Sequence, residues 1–375
     1  MVRKKILIFH QSLAPYRVDF WNSLNDAFDL EVFFIYENHL DQKFDQGRLK
    51  KLLNFTPKYL NIGVDVGSRA LRWGFVSIIR RVKPEIVFSY EYSQTTTSLY
   101  LIKKIYGMDF QLFSICDDSL EIAKTCVGMR RLFRDFLVNK LDGLILVNQD
   151  VADWYIQKFG AGKKRIVFPI ITKEKTFRDN LIDSLSKTNK LIEEFNLIGK
   201  KCVFYVGRLV KVKGLDRLID VFYNIAHKKE DVRLVMIGDG DQKEQLKLLS
   251  NHYGMDKKIF FPGRMEGQEL LSWYNLAQIF VLPSHYEPFG AVINEALLAG
   301  SIVLCSKLAG ASSLIKTGEN GYNFDPYDKA LLENLLNQEI DKISSITGFL
   351  KDIKPSNMLV SFEDYFDNLY KELNR

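Results

Sequence analysis

The sequence predicts an α/β protein of two Rossmann-like domains, each built on a parallel sheet covered on both faces. Three observations carry that expectation. Short apolar runs alternate with helical patterns along the whole chain, the arrangement that builds parallel sheets. The runs fall into two series, separated by a polar stretch from Thr172 to Gly199. At 375 residues the chain is also too long for one modest core.

In the first series, Ile6 to Phe9 and Leu30 to Tyr36 read as strands around a helical pattern from Tyr16 to Phe28. Further strands are expected at Ile86 to Ser89, Phe110 to Ile115, Leu144 to Val147 and Arg165 to Phe168. The loop after the first strand, from His10 to Arg17, lacks the glycine fingerprint of dinucleotide sites, so dinucleotide binding is unsupported there. Asp117 and Asp118 follow a strand at its carboxyl end, a position open to a ligand or to an N-cap. Two stretches read as basic amphipathic helices. In Met129 to Leu141 the apolar face is Met129, Leu132, Phe133, Phe136 and Leu137, opposite Arg130, Arg131 and Arg134. In Arg69 to Lys83 it is Leu71, Phe75, Ile78, Ile79 and Val82, beside Arg69, Arg72, Arg80 and Arg81. Such faces lie on anionic membrane or, more commonly, on a protein core.

The expected boundaries are residues 1–175 for the first domain, 176–200 for a linker and crossover, 201–355 for the second domain and 356–375 for a C-terminal helix. That helix carries Phe362, Tyr365, Phe366, Leu369, Tyr370 and Leu373 at helical spacing, as if to cross back to the first domain.

Strands of the second series are expected at Cys202 to Val206, Arg233 to Ile237, Lys258 to Phe261, Ile279 to Leu282, Ile302 to Cys305 and Tyr322 to Phe324. The loop after the first of them runs from Gly207 to Gly214 and holds Arg208 and Lys213, a guanidinium fork and a point charge suited to a diphosphate. Asp239 and Asp241 match a metal-holding pattern, but Asp241 with Glu244 has capping-box spacing, and the cap is preferred. From Ile279 to Ser306 the chain is apolar on all sides and reads as a buried strand, helix and strand containing Glu287 and Glu295. Burying two acids is costly unless something hydrogen-bonds them. A sugar nucleotide fits, its hydroxyls donating to the acids and its diphosphate meeting the amides of Gly290, Ala291 and Val292 at the helix start. His285 reads as a loop residue beside them.

A hydrophobic content of 47% and a charged content of 26% describe an ordinary globular protein. No apolar run reaches spanning length, and the opening residues do not form a secretory signal, so a cytoplasmic protein is expected. The scattered Cys116, Cys126, Cys202 and Cys305 read as thiols of a reducing compartment. A net charge of +6 favours an anionic partner. Nucleic acid is disfavoured, because no nucleic-acid-binding motif accompanies the charge.

Taken in order, Gly207-Arg208, Lys213-Gly214, Gly238-Asp239-Gly240 and Glu287-Pro288-Phe289-Gly290 with Glu295 resemble the retaining family-four glycosyltransferases of the GT-B fold, also called glycosyl transferases group 1. Pro15-Tyr16-Arg17 and Phe20 are similar to a subset that builds bacterial surface polysaccharides. The resemblance implies two Rossmann-like domains whose sheets face each other across a cleft, with the last helix crossing back. It implies transfer of a sugar from a nucleoside diphosphate, UDP or GDP, to a hydroxyl of a glycan or lipid-linked acceptor, with retained configuration and with no metal or further cofactor.

By position it assigns Arg208 and Lys213 to the diphosphate, Glu287 to the donor sugar and Glu295 to the ribose. Gly207, Phe289 and Gly290 stand beside the donor, and the Arg264-Met265 turn borders the base. Tyr16, Arg17 and Asp118 fall on the acceptor side. Where many members carry His-Asp this chain has Cys116-Asp117, which leaves Asp117 as the substitute catalytic residue. The partners expected are the nucleotide sugar, the acceptor and, through the basic helices, the inner face of an anionic membrane. A sugar-nucleotide epimerase on the same fold and a non-catalytic polysaccharide-assembly scaffold remain as alternatives.

Overall fold

A computed structural model describes residues 3–38, 44–66 and 69–375. The chain divides into two compact units, one of residues 1–172 with 363–375, the other of residues 173–362.

Among the described residues the first unit carries nine strands: β1 (Lys5–His10), β2 (Asp29–Phe34), β3 (Lys58–Tyr59), β4 (Gly63–Val66), β5 (Arg69–Arg72), β6 (Ile86–Tyr90), β7 (Gln111–Cys116), β8 (Gly143–Leu146) and β9 (Lys164–Val167). Seven of them form a parallel sheet in the order β3-β2-β1-β6-β7-β8-β9, and β4 and β5 pair as an antiparallel hairpin. The central strands are apolar on both faces because helices cover both, so Ile6, Leu7, Ile8 and Phe9 are all buried. The expected helix from Arg69 to Lys83 is shorter than its apolar spacing suggested. Arg69–Arg72 is a strand and Gly74 breaks the chain in a left-handed turn. Only Phe75–Val82 is helical, with Phe75, Ile79 and Val82 buried.

The last helix, Phe362–Asn374, completes this unit. Tyr370 lies against Phe28 and Tyr365 against Phe168, with ring centroids 5.4 and 6.4 Å apart. Lys4 Nζ donates to the Leu373 carbonyl at 3.0 Å, a cation satisfying an orphan carbonyl of the final turn.

The second unit carries β10 (Lys201–Val206), β11 (Val232–Ile237), β12 (Ile259–Gly263), β13 (Ile279–Leu282), β14 (Ile302–Ser306) and β15 (Gly321–Phe324). Its parallel sheet runs β12-β11-β10-β13-β14-β15. In both sheets strand order reverses beside the first strand, between β1 and β6 and between β10 and β13. Ligands of open α/β sheets bind in the crevice at the carboxyl ends of such strands. Residues 176–200, expected as a linker, are largely helical. The helices Glu174–Asp183 and Leu185–Glu194 bury Leu181, Thr188 and Ile192, and Asn275 Nδ2 donates to the Leu181 carbonyl at 3.0 Å. Their polar surface hid a narrow apolar stripe.

No helix among the described residues is long and apolar enough to cross a membrane. The cysteines are free thiols, with Cys116, Cys202 and Cys305 buried.

Candidate active site

In the second unit the crevice between β10 and β13 is walled by the two loops that follow these strands. The His285 amide donates to the Val212 carbonyl at 2.8 Å and so ties the loops together. Within this frame Lys213 Nζ bonds Glu287 Oε2, and both side chains are mostly buried, at 10% and 14% exposure. Burying this pair is tolerable only because each charge has the other. Tyr205, buried beneath, donates to the Arg208 carbonyl at 2.8 Å, and burial together with the Glu287 charge pushes its phenol well up. The Arg208 side chain points to solvent, without an ion-pair partner among the described residues. Gly207 donates to Ile237 at 2.9 Å and faces Gly238, where a Cβ would stand 1.8 Å from the Gly207 carbonyl oxygen. Only glycine permits that approach.

After β13 the chain turns at Gly290, with φ of 94°, where a Cβ would meet Leu282 Cδ2 at 2.9 Å. Phe289 is buried and its carbonyl accepts from the Ala311 amide at 2.8 Å. The helix Val292–Leu298 then starts, and the amides of Ala291 and Val292 find no carbonyl partner among the described residues. Glu295 sits in its first turn and accepts from Tyr274 Oη at 2.7 Å. Burial pushes the Glu295 carboxyl up to about 6 against the pull of that hydroxyl. At the end of β12, Arg264 is held by Glu266 at 2.5 Å, and Met265 is half-buried beside it.

His285 stacks on Tyr327 with centroids 4.8 Å apart. Asp241 is not the expected cap. The helix begins at Lys243 with Gln242 as an unbonded N-cap, and Asp239 instead pairs with Lys243 at 3.5 Å. Leu209 fixes this turn, its carbonyl accepting from the Gln242 amide at 2.9 Å, so the helix starts one residue late for the box.

In the first unit the loops after β1, β6 and β7 converge on a pocket lined by His10, Gln11, Tyr16, Arg17, Glu91 and Asp117. Arg17 is 2% exposed and bonds Asp117 through Nη2, while its Nε and Nη1 have no hydrogen-bond partner. Asp118 is buried and takes Arg130 Nη2 on both oxygens at 2.7 Å, and the same nitrogen reaches Glu91 at 3.1 Å. The cap of the next helix is Ser119, whose hydroxyl accepts from the Ile122 amide, so neither aspartate is spent as an N-cap. Tyr16 packs edge-on against Phe44 at 6.4 Å. Burial pushes His10 down to about 4, which leaves its imidazole neutral at pH 7.

Glu91 and Tyr274 carried no expectation from the sequence, and Arg130 was expected only on the basic face of its helix. Glu91 follows β6 as Asp117 follows β7, and that shared position was the available signal. The face of Gly128–Leu137 also differs from expectation. Arg130 turns inward to the carboxylates, and buried Arg134 donates to the Ala123 carbonyl at 2.6 Å, because these partners outcompete solvent for the guanidiniums. Leu137 is buried, while Met129, Leu132 and Phe136 are exposed.

Two Rossmann-type units of this topology form the GT-B fold. Residues 188–343 match the sequence model of the family described as Glycosyl transferases group 1. An uncharacterized glycosyltransferase of Methanocaldococcus jannaschii is 33% identical over 174 residues, 46% of this chain and 43% of that protein. The chain thus spans less than half of that relative's length. Among solved structures, Anabaena HepE in complex with UDP has a TM-score of 0.75 at 18% identity, covering 99% of both chains. The lipopolysaccharide outer core galactosyltransferase WaaB has a TM-score of 0.70 at 17% identity, covering 98% of this chain and 99% of its own.

Proposed function

We propose that the protein is a retaining, metal-independent glycosyltransferase that moves a sugar from a nucleoside diphosphate to a hydroxyl of a glycan or lipid-linked acceptor in bacterial surface polysaccharide or glycolipid synthesis. The observation that carries this reading is the Lys213–Glu287 pair in the strand-reversal crevice of the second unit, with the buried carboxyl of Glu295 on the adjoining helix. HepE has been crystallised with UDP-glucose, and WaaB is a galactosyltransferase of lipopolysaccharide, which supports both the donor class and the acceptor class.

In this reading Arg208 and Lys213 bear the charge of the diphosphate, the amides of Ala291 and Val292 add to it, and Gly207 and Gly290 allow close approach. Glu287 accepts from hydroxyls of the donor sugar and Glu295 from the ribose, with Arg264 and Met265 beside the base. The bond from the anomeric carbon to the diphosphate breaks with its electron pair kept by the leaving oxygen. The acceptor oxygen bonds to the same face of that carbon and its proton passes to the diphosphate. Charge developing on the leaving group is what the fixed cations stabilise. Asp117 orients the acceptor, with Tyr16, Arg17 and Asp118 around it. Contact with an anionic membrane would run through Met129, Leu132 and Phe136 beside Arg131.

The test is incubation with a panel of UDP- and GDP-sugars, with and without a membrane-lipid extract, following nucleotide release and the labelled sugar. Acceptor-dependent release is expected. Acceptor-free isomerisation would favour an epimerase, binding without turnover a scaffold, and full activity in Glu287→Ala and Arg208→Ala would overturn the site.

A further inference from the structure

Resting on the transferase reading, we infer that the first-unit pocket seats an uncharged sugar by a pair of neighbouring hydroxyls, with Glu91 and Asp117 accepting from them. This assigns Glu91 a binding role and names the acceptor class.

The backbone singles out Glu91. Three non-glycine residues among those described have positive φ, namely Lys83, Glu91 and Asn196. Lys83 and Asn196 end helices, where left-handed residues are ordinary. Glu91, with φ of 46°, ends a strand and has no such excuse. Its conformation is fixed from several sides. Its amide donates to the Ile115 carbonyl at 2.7 Å, and its own carbonyl accepts from Ser114 Oγ at 2.5 Å and from Thr96 Oγ1 at 3.0 Å. Strain held this firmly beside a pocket is characteristic of binding positions.

The hydrogen-bonding inventory then identifies the guest. Arg130 anchors Glu91 from one side and Arg17 anchors Asp117, yet the two carboxylates remain 36% and 28% exposed. Arg17 is almost wholly buried and bonded to Asp117, and its two unpartnered nitrogens are closed to solvent, so it offers a guest no free donor. Phosphate and carboxylate groups accept only, and they would meet Glu91 and Asp117 at close range. Two guanidiniums face three carboxyl groups here, of which burial pushes Glu91 up to about 7, and His10 is neutral, so no excess of positive charge draws an anion in. A neutral hydroxyl donates, so each carboxylate can accept a hydrogen bond from one without repulsion. Tyr16 and Tyr90 supply ring surface for the apolar face of a sugar.

The experiment is saturation-transfer NMR on the full chain without any nucleotide sugar. The probes are methyl glycosides of glucose, galactose and mannose, set against methyl glucuronide and glucose 6-phosphate. At least one neutral glycoside is expected to bind, with affinity at least tenfold above the anionic probes. Asp117→Asn and Glu91→Gly should each weaken it at least tenfold. Glycine suits a positive φ, so Glu91→Gly should melt no lower than wild type, which separates binding from folding. Preference for the anionic probes, or wild-type binding in both variants, would overturn the inference. If nucleotide release fails while neutral glycosides bind, the transferase reading falls and this pocket stands; if transfer proceeds while neutral glycosides do not bind, the reverse holds.

Discussion

Replacing Glu295 with glutamine separates what the fold gives up from what the donor would gain. In the free protein this carboxyl lies in an apolar helix turn with one partner, the Tyr274 hydroxyl at 2.7 Å. Its pKa is pushed from 4.5 to about 6. That difference corresponds to about 2 kcal/mol against the ionised folded state. The sign follows from proton counting. Between 4.5 and about 6 the folded chain holds the proton more tightly than the unfolded one, so stability falls as pH rises through that window and stays lower above it. Glutamine keeps an oxygen for Tyr274 and carries no charge. At pH 7.5 Glu295→Gln should therefore be about 2 kcal/mol more stable than wild type, with the gap closing toward pH 4.5. Pulse proteolysis in urea, read on fragments from residues 268–298, follows the second unit alone. UDP affinity by calorimetry should move the other way, about tenfold weaker or more, as expected for loss of a hydrogen bond to a charged group. Equal or lower stability of the variant at pH 7.5 would refute the reasoning.

Three further outcomes follow from the same crevice and its supports. Glu287→Leu strands the buried Lys213 ammonium and should cost about 3 to 5 kcal/mol in urea unfolding, and adding Lys213→Met should recover most of it, since a buried pair is worth less than its broken half costs. Lys354 donates to the carbonyls of Asn275 and Ala277, both at 2.8 Å, and burial pulls its pKa from 10.5 down to about 8. The native state then holds the proton less tightly, so between pH 8 and 10.5 the melting temperature of the second unit should rise relative to that of Lys354→Met, in which the buried thiols and phenols titrate alike. Gly238→Ala places a methyl 1.8 Å from the Gly207 oxygen and should abolish soluble expression, whereas Gly162→Ala, with nothing within 4 Å, should be close to neutral.

What could be read from the sequence divides along burial. Strands covered on both faces, such as Ile279–Leu282, announce themselves as unbroken apolar runs. The two-residue β3 and the hairpin of β4 and β5 give no such signal, and the arginines of β5 imitated a basic helix. In the site, Glu287 and Glu295 were legible because a charge inside an apolar run demands a reason. The bond from Tyr274 to Glu295 was not, because it joins helices across a turn of the fold. Glu91 was equally hidden, since its distinguishing feature is a backbone angle, and glutamate carries no propensity that predicts it.

The assignment of Phe362–Asn374 to the first unit bears on biogenesis. The second unit is a continuous segment, whereas the first is assembled from both ends of it. During synthesis Phe28 and Phe168 lack their aromatic partners Tyr370 and Tyr365 until the ribosome has passed the whole of the second unit. The earlier-made unit is therefore the later to be finished, and the nascent chain carries the apolar surface around Phe28 and Phe168 uncovered until then.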